Sequence, residues 1–263
     1  MLYLYGMQRL MVYSESGGAS KTTTAVGLAM AAATMGKRVT LIDLDPRAAS
    51  TKWLDVEPRE EGLHVGAILG NEDVEGWAEG MAVQTRWHEN LRMIPSARSV
   101  STMEGLREDH SELRLSLALQ GLEADVVVID CPNRQGGPLI LSALNAADTV
   151  VYAAMPNEDG IDGITGARKS VQRFLASRRA MGAPADLVEA GIILGSVDTT
   201  AVVSRIELAS IQEIEDMGIL LTPYVPQRVI VKENRRIHEW FGTYRKGQPV
   251  SDAYAELAKK VIR

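Results

Sequence analysis

The sequence is poor in the residues on which several classes of protein depend. It has one cysteine, Cys131, in 263 residues, which excludes an intrachain disulfide framework and a zinc site built from several thiolates. Aromatic residues make up 5% of the chain, so base stacking on an aromatic platform is disfavoured as a binding mode. The longest apolar runs, such as VVVI at 126–129, are too short to span a bilayer, and no charged-then-apolar leader opens the chain. We therefore expect a cytoplasmic protein.

Length and charge set further bounds. A chain of 263 residues with 46% hydrophobic content can bury a full core, and we expect residues 1–263 to form a single domain, with Met7 as a second candidate for the first residue. Residues 1–159 carry 13 Lys and Arg against 22 Asp and Glu, a net charge of −9, whereas residues 160–263 carry 15 against 12, a net charge of +3. The basic C-terminal part permits an anionic partner, although charge on helices is more often a solvated surface.

Short apolar runs alternate with helical patterns along the chain. The apolar runs predict strands at 10–13, 39–43, 91–95, 126–130, 149–154, 190–195 and 219–225. Helical patterns lie at 22–35, 101–120, 161–181, 201–217, 231–241 and 250–262, and residues 55–90 predict surface helices and loops. Strands separated by helices need crossover connections. The pattern therefore predicts an α/β fold with a single doubly wound, mostly parallel sheet and helices on both faces.

Three predicted strands end in residues suited to nucleotide chemistry. LMVY is followed by SGGASKTT, VTLI by Asp43-Leu44-Asp45-Pro46, and VVVI by Asp130-Cys131-Pro132. In an open parallel α/β sheet, ligands bind at the carboxyl ends of the strands. We therefore expect a glycine loop with a lysine, a pair of acids and a single acid to meet in one crevice.

The stretch YSESGGASKTTTAV at 13–26 departs from the phosphate-loop pattern G-x-x-x-x-G-K-[ST] at both outer glycines, which are Glu15 and Ser20 here. Gly17 and Gly18 still lack a Cβ, so the backbone can adopt positive φ and approach an anion closely. If the φ of Ser20 is also positive, the serine costs about 1–2 kcal/mol relative to glycine. The loop can therefore still hold phosphate.

The donors of such a loop come from the backbone and from two side chains. The N–H groups of residues 18–23 lie at a predicted helix N-terminus, where unpaired donors and the helix dipole favour phosphate. Lys21 can reach the terminal phosphates, and the Thr22 hydroxyl can ligate Mg²⁺. The alternative is that Gly-Gly before a helix is only a turn.

The acids at the other two strand ends need a compensating group. Asp43 and Asp45 are two residues apart, so the strand period directs both to one face. Two acids beside a phosphate loop are unfavourable unless a cation or an attacking water lies between them, and Mg²⁺ and hydrolysis supply these roles. Asp130 ends an apolar strand, where water-bridged Mg²⁺ would account for a buried acid. For either Asp43 or Asp45 alone, a turn with an Asp cap is the alternative. The candidate metal ligands are Thr22, Asp43 and Asp130.

These residues resemble the ParA/MinD group of dimeric P-loop ATPases with a deviant Walker A motif, most closely ParA-type partition ATPases without an N-terminal DNA-binding domain. The family's K-G-G-x-G-K-T-T is similar to residues 16–23, its D-x-D-P-Q to 43–47 and its I-D-x-P-P to 129–133. Its I-P-R-N-V-R-L-S-E-A looks like residues 225–234, which in relatives lie against the adenine. The pattern covers most of the chain.

The resemblance implies an ATPase that uses ATP and Mg²⁺. Lys21 then binds the phosphates and Asp45 orients the attacking water, and these are the two catalytic candidates. The implied nucleotide-binding residues are Gly17, Gly18, Ala19, Ser20, Lys21, Thr22, Thr23, Pro226 and Arg228.

The sequence departs from the family at informative positions. Ser16 occupies the place of the signature lysine, which in relatives reaches the partner subunit's nucleotide. Arg47 replaces a glutamine beside Asp45 and either supplies the missing positive charge or is a surface residue. The two arginines that often carry DNA binding in relatives align with Thr200 and Ile230.

The implied function is an ATPase for plasmid or chromosome partition that forms a homodimer in the ATP state. Such a protein binds DNA non-specifically, works with a ParB-like centromere-binding partner and is nucleoid-associated. We expect slow hydrolysis. The candidate DNA-binding residues are Arg168, Arg173, Arg205, Arg228, Lys232, Arg235 and Arg236.

Three alternatives remain at this point. A MinD-like membrane-positioning ATPase needs an amphipathic C-terminal anchor, whereas this chain stops at AKKVIR with little apolar face, so we expect no membrane partner. A metabolic enzyme of the same fold is the second: the single cysteine excludes an iron–sulfur reductase, and a ligase would need a substrate domain or a nucleophilic cysteine. A nucleotide-binding pseudo-ATPase, suggested by Ser16, is the third.

Overall fold

A computed structural model describes residues 6–105, 108–198 and 204–263, and it builds them around one eight-stranded sheet. The strands are β1 (Gln8–Tyr13), β2 (Val39–Asp43), β3 (Val83–Gln84), β4 (Leu91–Ile94), β5 (Val126–Asp130), β6 (Thr149–Ala154), β7 (Val188–Leu194) and β8 (Leu220–Leu221). Their order is β3-β4-β2-β5-β1-β6-β7-β8. Every pair is parallel except β3 with β4. The predicted doubly wound, mostly parallel α/β fold is confirmed.

Helices connect the strands and cover the sheet. They are α1 (Lys21–Thr34), α2 (Ala49–Leu54), α3 (Val65–Gly70), α4 (Trp77–Met81), α5 (Arg114–Ala118), α6 (Pro138–Ala146), α7 (Glu158–Ala180), α8 (Arg205–Asp216), α9 (Val229–Arg236) and α10 (Gln248–Val261). Short 3₁₀ turns lie at Arg98–Gly105, Ser111–Leu113 and Phe241–Thr243.

The two faces of the sheet bury two separate hydrophobic clusters. Alternation along β1 sends Met11 and Tyr13 to one face and Leu10 and Val12 to the other, as the two-residue period of a strand requires. The first face packs under α3 to α7, and the second packs under α1, α2 and α10. Both sides of the sheet are therefore covered, and the open positions lie at the carboxyl ends of the strands.

Several elements differ from the sequence-based prediction. The predicted helix at 101–120 is two 3₁₀ turns followed by the five-residue α5. The predicted strand at 219–225 is reduced to β8, with an isolated bridge between Val197 and Pro226 further on. Residues 55–90 were predicted as surface elements, but α3 is wedged into the core because Val65 and Ile68 are fully buried. Thr200 lies outside the described residues, as do residues 201–203 of the predicted helix at 201–217.

Candidate nucleotide-binding site

A crevice of about 580 Å³ opens at the carboxyl ends of β1, β2 and β7. Its volume lies within the range of small-molecule sites in proteins. The phosphate-loop residues 18–23 form one wall, and residues 225–228 with the start of α9 form another. Asp45 and Arg47 line a third side, while Gly17 sits at the exposed apex of the loop, close to the side chain of Asn133. Of the strand-end residues that the sequence placed in one crevice, the phosphate loop and Asp45 line it, whereas Asp43 and Asp130 are buried and do not.

The backbone of the glycine loop has the conformation that anion binding needs. Gly18 has a φ of 75°, and Ser20 has a φ of 63°, both in the left-handed region. Ser20 precedes α1, so the loop directs N–H groups toward the crevice from a helix N-terminus. The condition under which Ser20 is costly is therefore met, and a non-glycine residue in this conformation costs about 1–2 kcal/mol.

Lys21 is held at the base of the loop. Its Nζ donates to the carbonyl oxygen of Ser16 at 2.7 Å, and the side chain is almost fully buried. Burial lowers the pKa of Lys21, and the charge of Asp130 opposes that shift. A lysine tied across the loop in this way is already positioned for an anion.

Asp43 and Asp130 lie next to each other on neighbouring strands and differ sharply in their partners. They are register partners at the ends of β2 and β5, and both are buried. Asp43 accepts hydrogen bonds from the N–H and the hydroxyl of Thr51, at 2.9 and 2.8 Å, and from the N–H of Asp45 at 3.1 Å. Its predicted role as a metal ligand is therefore not favoured by the geometry, because both of its oxygens are already engaged by the protein.

Asp130 is the carboxylate that the protein leaves unsatisfied. Both of its oxygens are buried, and neither has a hydrogen-bond partner. The hydroxyls of Thr22 and Ser50 are close enough to lower the pKa of Asp130 slightly, but neither makes a hydrogen bond of ordinary geometry with it. Burial and the neighbouring charge of Asp43 dominate and raise this pKa to about 8. A buried acid beside a threonine hydroxyl fits a divalent cation that is held partly through water.

Asp45 lies at the mouth of the crevice. Its Oδ1 accepts the N–H of Arg47 at 2.8 Å, and its carbonyl oxygen accepts the Ser96 hydroxyl at 2.9 Å. These bonds fix the turn that follows β2, and Asp45 remains half-buried at the crevice surface. Its position differs from that of Asp43 because β2 ends at residue 43 and the strand alternation ends with it.

The family model described as AAA domain matches residues 7–180. The chain is 28% identical over 269 aligned residues to the sporulation initiation inhibitor protein Soj of Bacillus subtilis, covering 96% of this chain and 97% of that protein. It is 26% identical over 258 residues to the chromosome-partitioning ATPase Soj of Thermus thermophilus, covering 97% and 96%.

The chain belongs to the ParA/MinD family of P-loop ATPases. A solved structure named cobyrinic acid a,c-diamide synthase, from Mycobacterium smegmatis and holding an ATP analogue and magnesium, superposes with a TM-score of 0.73 at 26% identity. The superposition covers 97% of this ParA/MinD-family chain and 93% of the synthase chain. The predicted cofactors, ATP and Mg²⁺, match the groups named in that structure.

In this ParA/MinD-family chain Glu15, one of the two non-glycine departures, anchors the phosphate loop. Its carboxylate accepts the hydroxyl of Ser170 at 2.7 Å and that of Tyr13 at 3.1 Å. A Cβ at Gly166 would lie 2.1 Å from the Glu15 carboxylate, and one at Gly163 would lie 2.5 Å from the Cβ of Ser16. Gly163 is therefore needed for the loop backbone to approach the start of α7, whereas a side chain at Gly166 would displace the Glu15 carboxylate from its position. Local sequence patterns give no signal for this contact.

The seven basic residues predicted to bind DNA lie in different surroundings. Arg168 is half-buried and forms an ion pair with Glu189, Nε to Oε1 at 3.2 Å, so the structure removes it from an exposed DNA surface. Arg173 is exposed beside Glu15. The rest divide into two groups. Residues Arg228, Lys232 and Arg235 line the nucleotide crevice, whereas Arg205 and Arg236 are exposed and do not.

Some residues of the crevice were not predicted from the sequence. Lys52 and Trp53 on α2 line it, and the Arg235 guanidinium lies 6.0 Å from the centre of the Trp53 ring. Ser196 and Tyr254 line it as well, while Pro226 and Arg228 occupy the wall where the resemblance put them. Lys52 and Trp53 follow Arg47, the last residue of the 43–47 motif, by five and six residues, and this proximity in sequence was the available signal.

The buried Asp130 carboxylate, which has no hydrogen-bond partner, predicts how the stability of the nucleotide-free protein depends on pH. The folded chain keeps a proton on Asp130 that the unfolded chain releases above its ordinary pKa of 3.8, so the stability of the nucleotide-free protein should fall as pH rises from 3.8 to about 8. Asp130→Asn should reduce that fall, leaving the part that Asp43 contributes because burial raises its pKa to about 6, and should raise the free energy of unfolding at pH 8 by at least about 1 kcal/mol. Urea unfolding at pH 6 and pH 8 measures both effects.

The exposed acid Asp73 provides the matched control, because Asp73→Asn makes the same chemical change away from the crevice. An Asp130→Asn protein with the wild-type pH dependence would show that another group holds the proton. Without ligand, Asp130→Asn should be more stable than the wild type at pH 8. With magnesium and an ATP analogue present, the wild type should gain more stability than Asp130→Asn, since only the wild type keeps the carboxylate for the cation.

Proposed function

We propose that residues 1–263 form one ATPase domain that acts in plasmid or chromosome partition by hydrolysing ATP and dimerising in the ATP state. The observation that carries the proposal is that the phosphate loop and Asp45 line one crevice, with the unsatisfied Asp130 buried close to Lys21 and Thr22 of that loop. Similarity to two Soj proteins over nearly the whole chain, one of them named a chromosome-partitioning ATPase, supports the choice among ATPases.

Different residues in and beside the crevice have different roles in the proposed hydrolysis. The N–H groups of residues 18–23 and Lys21 hold the triphosphate, and Pro226 with Arg228 borders the adenosine. Thr22 and Asp130 would hold Mg²⁺, which would supply positive charge against the phosphates. Asp45 orients a water whose oxygen forms a bond to the γ-phosphorus while the bond to the bridging oxygen breaks, giving ADP and phosphate. Turnover is slow in this proposal, because the family's signature lysine is Ser16.

Asp45→Asn tests the division of roles. The change keeps an acceptor for the Arg47 N–H but removes the charge that orients water, so turnover should fall at least about a hundredfold. Affinity for the ATP analogue should stay within about threefold of wild type, since Asp45 is not proposed to hold phosphate. Phosphate release and calorimetry measure the two quantities, with Asp73→Asn as control.

Lys21→Ala should reduce the affinity itself. Unchanged turnover in Asp45→Asn would remove Asp45 from the mechanism.

The solved synthase raises amide ligation as a competing activity. If ATP turnover required an added carboxylic acid and an amide donor, that activity would replace the partition proposal.

Dimerisation in the ATP state needs a substitute for the signature lysine, and Arg47 is our candidate. It is exposed at the crevice mouth, adjacent to Asp45, and its backbone is fixed by the N–H bond to that residue and by Lys52 Nζ donating to its carbonyl oxygen at 2.8 Å. A long cation on a fixed turn can reach an anion beyond its own subunit. The guanidinium also matches phosphate geometry in a way that a single ammonium does not.

Arg47→Ala should weaken ATP-dependent dimerisation at least about tenfold, the effect of removing one charge-assisted hydrogen bond. ATP binding by the monomer should be spared. Sedimentation with the non-hydrolysed analogue measures the dimer, and calorimetry measures binding. Arg86→Ala, which removes an exposed arginine that pairs with Asp55, is the control. A dimer of wild-type strength would exclude Arg47.

Non-specific DNA binding and a ParB-like centromere-binding partner complete the proposal, with a cytoplasmic, nucleoid-associated location. Arg205 and Arg236 are the exposed candidates outside the crevice, and Arg173 is a third. Phosphate contacts suit them, since contacts to the backbone carry no sequence information. Of the residues that the structure describes, no helix is long and apolar enough to cross a membrane.

Replacing Arg205 and Arg236 with alanine should weaken DNA binding in the ATP state. The slope of log K against log[salt] should become shallower by about 0.9 for each phosphate that the variant no longer neutralises. A shift assay on two unrelated duplexes across a salt series, with and without ATP, measures this. Lys37→Ala/Arg38→Ala is the control, because it removes two charges just before β2, at the opposite end of the strands. Equal weakening in both variants, preference for one duplex or binding without ATP would contradict the proposal.

A further inference from the structure

Ser20, the second departure from the phosphate-loop pattern, fits against a glycine far away in the chain. A Cβ built on Gly195 would lie 2.8 Å from the Cβ of Ser20 and 2.9 Å from its hydroxyl oxygen. Contacts below 3.0 Å do not occur between real Cβ atoms and their neighbours unless something shifts. Gly195 does not have a positive φ. Its lack of a side chain is therefore required by the space that Ser20 occupies.

The hydroxyl of Ser20 is not used for the purpose that serine usually serves before a helix. Ser20 precedes α1, but its side chain makes no capping hydrogen bond. It points instead to the hydroxyl of Ser196, 3.5 Å away, and Ser196 has a φ of 57°. Two non-glycine residues in the left-handed conformation thus face each other inside the nucleotide crevice, at a combined cost that neighbouring contacts must offset.

The segment after β7 carries this contact to the opposite wall of the crevice. Gly195 N–H donates to Ala154 at the end of β6, which fixes the segment to the sheet. Val197 N–H donates to the carbonyl of Val225, and Gln227 N–H donates back to the carbonyl of Val197. The phosphate loop and the 225–228 wall are therefore connected through three consecutive residues, 195–197.

We propose that Ser20 and Gly195 are a matched pair of positioning residues, and that this pair couples the phosphate loop to the wall at residues 225–228. A nucleotide that orders the loop then orders the opposite wall as well. A standard glycine at position 20 would leave a gap where Ser20 now touches Gly195. The inference concerns nucleotide binding alone and stands whatever the ATPase acts on.

A double-mutant cycle tests the pairing. Gly195→Ala should weaken binding of the magnesium complex of a non-hydrolysed ATP analogue at least about tenfold, because the new methyl displaces Ser20 and with it the loop backbone. In Ser20→Gly/Gly195→Ala the methyl has room, so affinity should return to within about threefold of Ser20→Gly alone. Calorimetry gives each affinity, and thermal unfolding establishes that each variant is folded.

Gly80→Ala is the matched control, because a Cβ there meets nothing within 4 Å and the glycine is not in the left-handed region. It should bind the analogue like wild type. Wild-type affinity in Gly195→Ala would overturn the pairing. A double variant that binds as weakly as Gly195→Ala, or Gly195→Ala that fails to fold without rescue by Ser20→Gly, would overturn it equally.

Amide hydrogen exchange tests the coupling. In wild type, the analogue should slow exchange at Thr24, whose N–H donates to Ser20, and also at Val197 and Gln227 by at least about tenfold. In Ser20→Gly, slowing should persist at Thr24 and disappear at Val197 and Gln227. No slowing at these two amides in wild type, or equal slowing in both proteins, would show that the wall does not respond through Ser20.

Discussion

Two carboxylates buried side by side, with hydrogen-bond donors for only one of them, impose the main constraint on this molecule. Asp43 and Asp130 are held in register by adjacent strands, so neither can move away without disturbing the sheet. Thr51 donates hydrogen bonds to Asp43, whereas Asp130 has no donor to offset its burial and its repulsion from Asp43. The protein must therefore bring positive charge to this point or keep a proton there. Lys21, beside the same carboxylate, supplies part of that charge.

The same buried pair of carboxylates distinguishes the ligand-free state from the state with a divalent cation bound. Without a ligand, the cheapest way to hold Asp130 is as a neutral acid, because charging it in a low dielectric costs several kcal/mol. A divalent cation next to the carboxylate reverses that preference and releases the proton. With a cation bound at Asp130 as proposed, cation binding and ionisation of this carboxylate would be coupled, and the charge buried beside the phosphate loop would differ between the two states.

The sequence predicts the fold and the floor of the site because both depend on local patterns. Strands 39–43, 126–130 and 149–154 are apolar runs bounded by polar residues, and their bounds were predicted correctly. The phosphate loop carries its own motif. In contrast, Glu15 looks like a missing glycine until its partner Ser170, 155 residues later, is known. Arg168 looks like a free cation until folding brings Glu189 to it. Contacts between residues far apart in the chain produce no periodic pattern in the sequence.

The wall of the crevice formed by α2 and the end of α9 contains a group of packed rings. Trp53 lines the crevice, with the Trp87 ring centre 5.9 Å away, and Trp240 lies 5.9 Å beyond Trp87. Three of the four tryptophans in the chain therefore belong to one cluster, and its inner member faces the place where a ligand would enter. A nucleotide that displaces the Arg235 guanidinium from Trp53 changes the field around that ring. The ultraviolet emission of the unlabelled protein should therefore change when a nucleotide enters the crevice.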